Sequence, residues 1–138
     1  MPNYWLVKTE PSSYSYDDMA REATAVWDGV KNPVAIRNLK SMHPGDHVLV
    51  YHTGDEKAVV GIATVVSSPY PDPKKKETTL FVVDLKAQRR LPKPVTLAQI
   101  KADKTFVDLP IVRQGRLSVS PVTAPQWKRV MQLAGAEA

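Results

Sequence analysis

His47-Val48-Leu49-Val50-Tyr51-His52-Thr53-Gly54-Asp55-Glu56-Lys57-Ala58-Val59-Val60-Gly61-Ile62-Ala63-Thr64-Val65-Val66 is the stretch that decides the fold. Two runs rich in Val and Ile flank Gly54-Asp55-Glu56, a composition that predicts two antiparallel strands joined by a tight turn. The second run is almost wholly apolar. It is therefore expected at the centre of a sheet, buried on both faces.

Outward from this hairpin the elements are short and mixed. Upstream, Tyr4 to Thr9 alternates and reads as a first strand. Glu10-Pro11-Ser12-Ser13 is a turn. Ser15 and Asp18 have capping-box spacing, so a short helix through Arg21 follows. Ala23 to Trp27 reads as a brief extended piece. Asn32 can cap a helix whose first turn holds Pro33, with Ala35, Leu39 and Met42 on one face. His43-Pro44-Gly45-Asp46 ends it. Downstream, Ser67 to Thr78 holds three prolines and Lys74-Lys75-Lys76, and is expected to be an exposed loop. Thr79 to Arg90 starts as a strand and ends basic. Thr96-Leu97-Ala98-Gln99 opens a helix to about Ala102. Phe106 to Arg113 is apolar but irregular, and Arg116-Leu117-Ser118-Val119 is expected to close the sheet. Thr123 caps a last helix that packs through Trp127, Val130, Met131 and Leu133 and stops at Gly135. About five strands without regular β–α alternation predict an α+β fold with a curled, mostly antiparallel sheet or small barrel.

The 138 residues suit one domain, 1–138, with a single core. With 43% hydrophobic and 24% charged residues the composition is globular. The chain has no cysteine, which excludes disulfides, thiolate metal sites and cysteine nucleophiles. Met1 to Val7 has neither the basic nor the apolar part of a signal peptide, and no apolar run reaches membrane-span length. A cytoplasmic monomer is expected, or a nuclear one in a eukaryotic source. Nineteen Lys+Arg against fourteen Asp+Glu leave a net charge of +5, which favours a polyanionic partner.

The catalytic and metal patterns are thin. His43, His47 and His52 lack a second ligand pair or helical i, i+4 geometry, so neither a metal nor a cofactor is expected. No Gly-x-Ser-x-Gly elbow and no phosphate-binding glycine loop occurs. His52 is the best general-base candidate, but a hairpin-end histidine in water is the favoured reading.

Trp27-Asp28-Gly29-Val30-Lys31-Asn32 holds more recognition chemistry. An indole beside a turn can stack on a planar base, and Asn32 offers a donor and an acceptor to a base edge. The plainer reading makes Trp27 core and Asn32 a helix cap. Trp5 and Trp127 fit packing roles. The basic residues sort into three groups, of a kind that is usually solvated surface: Lys31, Arg37 and Lys40; Lys74, Lys75 and Lys76; and Arg113 and Arg116 around Gln114-Gly115. Together they would suit a groove that tracks a phosphate backbone.

Several blocks carry a resemblance. Tyr4-Trp5-Leu6-Val7-Lys8-Thr9-Glu10-Pro11, Tyr14-Ser15 with Asp17-Asp18, and Trp27 to Asn32 come first. Gly45-Asp46 ahead of Tyr51-His52, Val60-Gly61-Ile62-Ala63 and Tyr70-Pro71-Asp72-Pro73 follow. Val112-Arg113-Gln114-Gly115-Arg116-Leu117-Ser118-Val119 is the last. In this order they resemble the EVE-domain family across nearly the whole chain. The resemblance implies a PUA-like fold, a strongly bent sheet or pseudo-barrel with short helices. It also implies a non-enzymatic module that reads a modified base in DNA or RNA by flipping it into an aromatic-lined pocket. The pocket residues it implies are Trp27, Asn32, Trp5, Tyr14, Ser15, Tyr51, His52 and Thr53. Those implied for the nucleic-acid backbone are Lys8, Lys31, Arg37, Lys74, Lys75, Lys76, Arg113, Gln114 and Arg116. The chain departs from the family pattern at Pro33 to Arg37, Thr53 and Gly115. A hydrolase of nucleosides or RNA using His52 or Asp28, and a small-metabolite sensor, remain alternatives.

Overall fold

The computed structural model describes residues 2–74, 79–114 and 117–136. Seven strands form the sheet: β1 (Tyr4–Thr9), β2 (Ala25–Trp27), β3 (His47–His52), β4 (Ala58–Val65), β5 (Tyr70–Pro71), β6 (Phe81–Thr96) and β7 (Val119–Val122). Their order is β2-β6-β4-β3-β1-β7, with β5 added on β6. Among the described residues only β1 and β3 pair in parallel, and the other pairings are antiparallel. The sheet curls into a half-barrel. Its β3–β4 register shifts between Val50 and Tyr51, and its β4–β6 register shifts between Val59 and Gly61 and again between Ile62 and Ala63. Each such bulge adds bend and twist to its strand.

Alternation along the strands divides the core in two. Trp5, Val7, Val48 and Val50 join one cluster with Trp27 and with Tyr16, Met19, Ala35 and Leu39. The last four come from helices α1 (Tyr16–Ala20) and α2 (Pro33–Lys40). Leu6, Leu49 and Tyr51 face the other way, onto Ile100, Ile111, Trp127 and Met131. These belong to α3 (Leu97–Lys101), α4 (Pro110–Arg113) and α5 (Ala124–Ala134). Helices therefore cover both faces, and β4 is buried on both sides as its composition predicts.

Three sequence expectations need correction. The loop expected over Ser67 to Thr78 contains β5, whose Tyr70 and Pro71 pair with Val82 and Phe81. The strand expected to end at Arg90 continues to Thr96. Pro92 and Pro94 are tolerated there because they fall opposite the register shift between Val59 and Gly61, where the ladder is interrupted. The closing strand is Val119–Val122, later than expected, and the irregular run before it forms a 3-10 turn at Lys104–Phe106 and α4.

Two buried residues, Asp46 and Tyr16, tie a loop and a helix to the sheet. Asp46, 2% exposed, accepts from the Trp5 indole and from the backbone N–H groups of Asn3 and His43, each at 2.9 Å. Tyr16 packs its ring on Gly61 and donates its hydroxyl to the Ile62 carbonyl at 2.8 Å. A Cβ at residue 61 would lie 2.4 Å from that ring. Gly61→Ala is therefore expected to destabilise the fold by about 1–3 kcal/mol, seen as a lower urea midpoint. Pairing it with Tyr16→Leu, which removes the clashing ring, should make the two effects clearly non-additive.

Candidate functional site

β2 and β7 end the strand order and do not pair with each other. A cavity of about 460 Å³ opens where the curl brings β2 opposite the end of β1 and the approach to β7. Lys8, Thr9, Tyr14, Glu22, Trp27, Asp28 and Ser118 line it, together with Val26, Gly29, Val30 and Lys74. This volume lies within the roughly 300–1,000 Å³ of ordinary ligand pockets.

The local sequence explains the walls. β2 pairs Trp27 with Val83 and leaves the indole 7% exposed at the strand end. Gly29 then adopts φ +76, a left-handed conformation that glycine reaches without strain, and the chain turns away. The Tyr14 ring meets Trp27 edge-on, with centroids 6.2 Å apart and planes at 72°. Tyr14 is placed by the turn before α1, where the Thr9 hydroxyl donates to its carbonyl at 2.6 Å. Its own hydroxyl donates to Glu22 Oε1 at 2.8 Å. The cavity thus has two aromatic walls at nearly right angles and a rim of hydroxyls, two carboxylates and two lysines.

Burial pushes the Tyr14 phenol well above its usual range, and the Glu22 carboxylate reinforces the shift. Burial also lowers the Lys8 ammonium, which sits 5.9 Å above the Tyr51 ring. Elsewhere a hydrogen bond to Asp84 pushes the Tyr70 phenol up to about 12.

A second groove, of about 660 Å³, runs along α2. Lys31, Arg37 and Lys40 line it over a floor that includes Ile36, Leu80 and Phe81. The Lys40 ammonium lies 4.5 Å from the Phe81 ring centroid. Val30 lines the first cavity and Lys31 the second, so the two adjoin across one peptide bond.

Of the eight sequence-derived pocket residues, the structure brings Trp27 and Tyr14 to the cavity. Asn32 caps α2 through its side-chain oxygen, which accepts from Val34 and Ala35. Ser15 caps α1 in a reciprocal box with Asp18. Trp5 points its indole N–H at Asp46. Tyr51 lies in the cluster on the opposite face from Trp27. The Thr53 hydroxyl donates to Glu10.

The expectation that His52 stands in water is corrected, because it is 3% exposed. Its Nε2 accepts from the Tyr16 N–H at 2.9 Å. Nε2 is therefore unprotonated, and Nδ1 carries the proton it shares with Glu56 at 2.7 Å. Both ring nitrogens are engaged in holding the fold.

Among the basic residues, Lys8 and Lys74 line the cavity and Lys31 and Arg37 the groove. Arg113 pairs with Asp108 at 3.3 Å and donates to the Val107 carbonyl. Gln114 is the C-cap of α4. Lys75, Lys76 and Arg116 lie outside the described residues. Thr9, Glu22 and Ser118 were missed from sequence. They come from separate elements, and no spacing pattern connects them.

The EVE domain model matches residues 3–133. The chain belongs to the EVE-domain family. A Rhodopseudomonas palustris protein solved by NMR is 40% identical, with a TM-score of 0.90 over 96% of this chain and 93% of that one. Thymocyte nuclear protein 1 of Rattus norvegicus is 28% identical over 99% of this chain and 76% of its own length. The human THYN1 protein, solved in complex with 5-methylcytosine-containing DNA, is 25% identical with a TM-score of 0.89, covering 99% of each chain. The EVE half-barrel and its bent, mixed sheet agree with the fold expected from sequence.

Tyr14 gives a direct test of the site's electrostatics. Its phenol is raised in the folded state, so the neutral form is the one the fold favours. That contribution is fully present below the ordinary value of 10.0 and is lost as pH rises through the folded value. The thermal midpoint of wild type is expected to fall more steeply above pH 10 than that of Tyr14→Phe, measured by circular dichroism.

Proposed function

We propose that this EVE domain, a single binding module over 1–138, is non-enzymatic and recognises a modified base in DNA. The base is extruded and seated against the aromatic wall that Trp27 and Tyr14 form together, while the adjoining basic groove receives the phosphate backbone. The Trp27–Tyr14 cavity is the observation that carries this reading. Stacking on an aromatic is worth about 1–3 kcal/mol per base, and a methyl group adds apolar surface to the contact. The 5-methylcytosine DNA bound by human THYN1 protein supports the same choice of partner.

Lys8 and Lys74 flank the cavity, and Lys31, Arg37 and Lys40 line the groove beside it. A backbone leaving the flipped nucleotide would meet these cations across Val30 and Lys31. Asn32 acts from behind the pocket, by capping α2 and fixing the turn that follows Trp27. Ser15 and His52 fix the start of α1 just after Tyr14, Thr53 holds Glu10 at the turn before it, and Trp5 packs in the same cluster as Trp27, whereas Tyr51 packs on the opposite face.

Trp27→Phe, a milder change than alanine at a buried position, is expected to weaken binding to an oligonucleotide with one 5-methylcytosine at least several-fold while the fold persists. Fluorescence anisotropy checks this, and equal binding by variant and wild type would remove Trp27 from the site. In the same assay, Arg37→Ala and Lys31→Ala should each reduce the slope of log affinity against log salt by about 1. An RNA of the same sequence gives the comparison arm.

A further inference from the structure

Two carboxylates line a cavity that is proposed to receive part of a polyanion. Glu22 and Asp28 both stand at its wall beside Trp27 and Tyr14, in a chain whose net charge is +5. Each would repel an approaching phosphate, so neither serves the electrostatic part of binding. Glu22 spends one oxygen, Oε1, on the Tyr14 hydroxyl. This bond fixes the carboxylate while Oε2 has no hydrogen-bond partner among the described residues. The Asp28 carboxylate makes no hydrogen bond or ion pair among the described residues, and it acts on Tyr14 through charge. Gly29 leaves open space beside it, with nothing within 4 Å of a Cβ built there.

An ionised carboxylate only accepts hydrogen bonds. Whatever sits against the aromatic wall and meets these oxygens must therefore present donors. Cytosine, adenine and guanine each carry an exocyclic amino group. Thymine and uracil instead offer a single ring N–H flanked by two carbonyl oxygens, which face the carboxylates lone pair to lone pair. We infer that Glu22 and Asp28 make the pocket selective for an amino-bearing base and set it against thymine and uracil. The inference rests on the proposed base-binding role and adds its specificity. Asp28 is the principal determinant, since both its oxygens are uncommitted. Glu22 is the second, oriented by Tyr14. Lys8 and Lys74 offset the repulsion between these acids and the sugar–phosphate entering the cavity.

5-Methylcytosine and thymine share the 5-methyl group and differ at the C4 substituent and the N3 proton, so they separate donor readout from stacking. Binding is measured for two oligonucleotides that differ only by this replacement, using wild type, Asp28→Asn and the double variant Glu22→Gln/Asp28→Asn. Wild type is expected to prefer 5-methylcytosine about tenfold or more. A carboxamide can donate to the thymine carbonyl, so Asp28→Asn should shrink that ratio mainly by gaining affinity for thymine, and the double variant should bring it near one. Both residues are exposed, so the variants should keep the wild-type thermal midpoint.

A ratio unchanged in the double variant overturns the inference. A wild type that binds both oligonucleotides equally, with affinity still dependent on Trp27, also overturns it but leaves the base-binding role standing. A wild type whose binding of either oligonucleotide is indifferent to Trp27 overturns the base-binding role and this inference together.

Discussion

Tyr16 is held to the sheet from three directions, and the proposed pocket depends on that anchorage. Its ring rests on Gly61, its hydroxyl reaches the Ile62 carbonyl, and its N–H is received by His52. Ser15 and Asp18 close the cap around the same helix start. The segment from Glu10 to Arg21 crosses the half-barrel under these constraints, which leaves Tyr14 little freedom. Only then can a residue two positions earlier stand edge-on to Trp27, which arrives on another strand. Glycine at 61 matters here for its missing Cβ, and a buried histidine serves as a neutral acceptor.

In the proposed mode of binding the charges fall into two regions with different tasks. Along α2 the groove carries three cations over an apolar floor. At the cavity, two lysines and two carboxylates share the rim of an aromatic cleft. A uniformly basic cleft would hold any stretch of nucleic acid with little regard to its bases. The proposed role of the carboxylates is to reduce that indiscriminate attraction and replace it with a demand for donors. The proposed division, affinity from the groove and discrimination from the cavity, is compatible with the structure because the two adjoin at Val30 and Lys31 without sharing a lining residue.

Much of this architecture was legible in the residues. Alternation marked β1, richness in Val and Ile marked β3, the apolar run marked β4 as central, and hydroxyl–carboxylate or hydroxyl–amide spacing located the starts of α1, α3 and α5. β5 was hidden because Pro69, Pro71 and Pro73 signal a loop, yet a two-residue edge pairing tolerates proline. The far half of β6 was hidden by Pro92 and Pro94, which a bulge accommodates. At the site, Trp27 was visible as an aromatic residue before a turn and Tyr14 came only from the family resemblance, while their 6.2 Å meeting depends on the curl of the sheet. Asn32 and Ser15 had two readings from sequence, and their oxygens are engaged as caps. His52 was misread because a strand-end position says nothing about the helix packed over it.

The three tryptophans offer the most direct test of the central claim. Their indole N–H groups occupy different settings: Trp5 bonded to Asp46, Trp127 stacked with Tyr4 on the far face, and Trp27 at the cavity. In a nitrogen-15 NMR titration with an oligonucleotide bearing one 5-methylcytosine, assigned by single Trp→Phe variants, the Trp27 indole resonance is expected to shift strongly. Those of Trp5 and Trp127 should hardly move. Saturable binding that leaves Trp27 unperturbed, or moves Trp127 instead, would contradict a base pocket at the cavity lined by Trp27 and Tyr14.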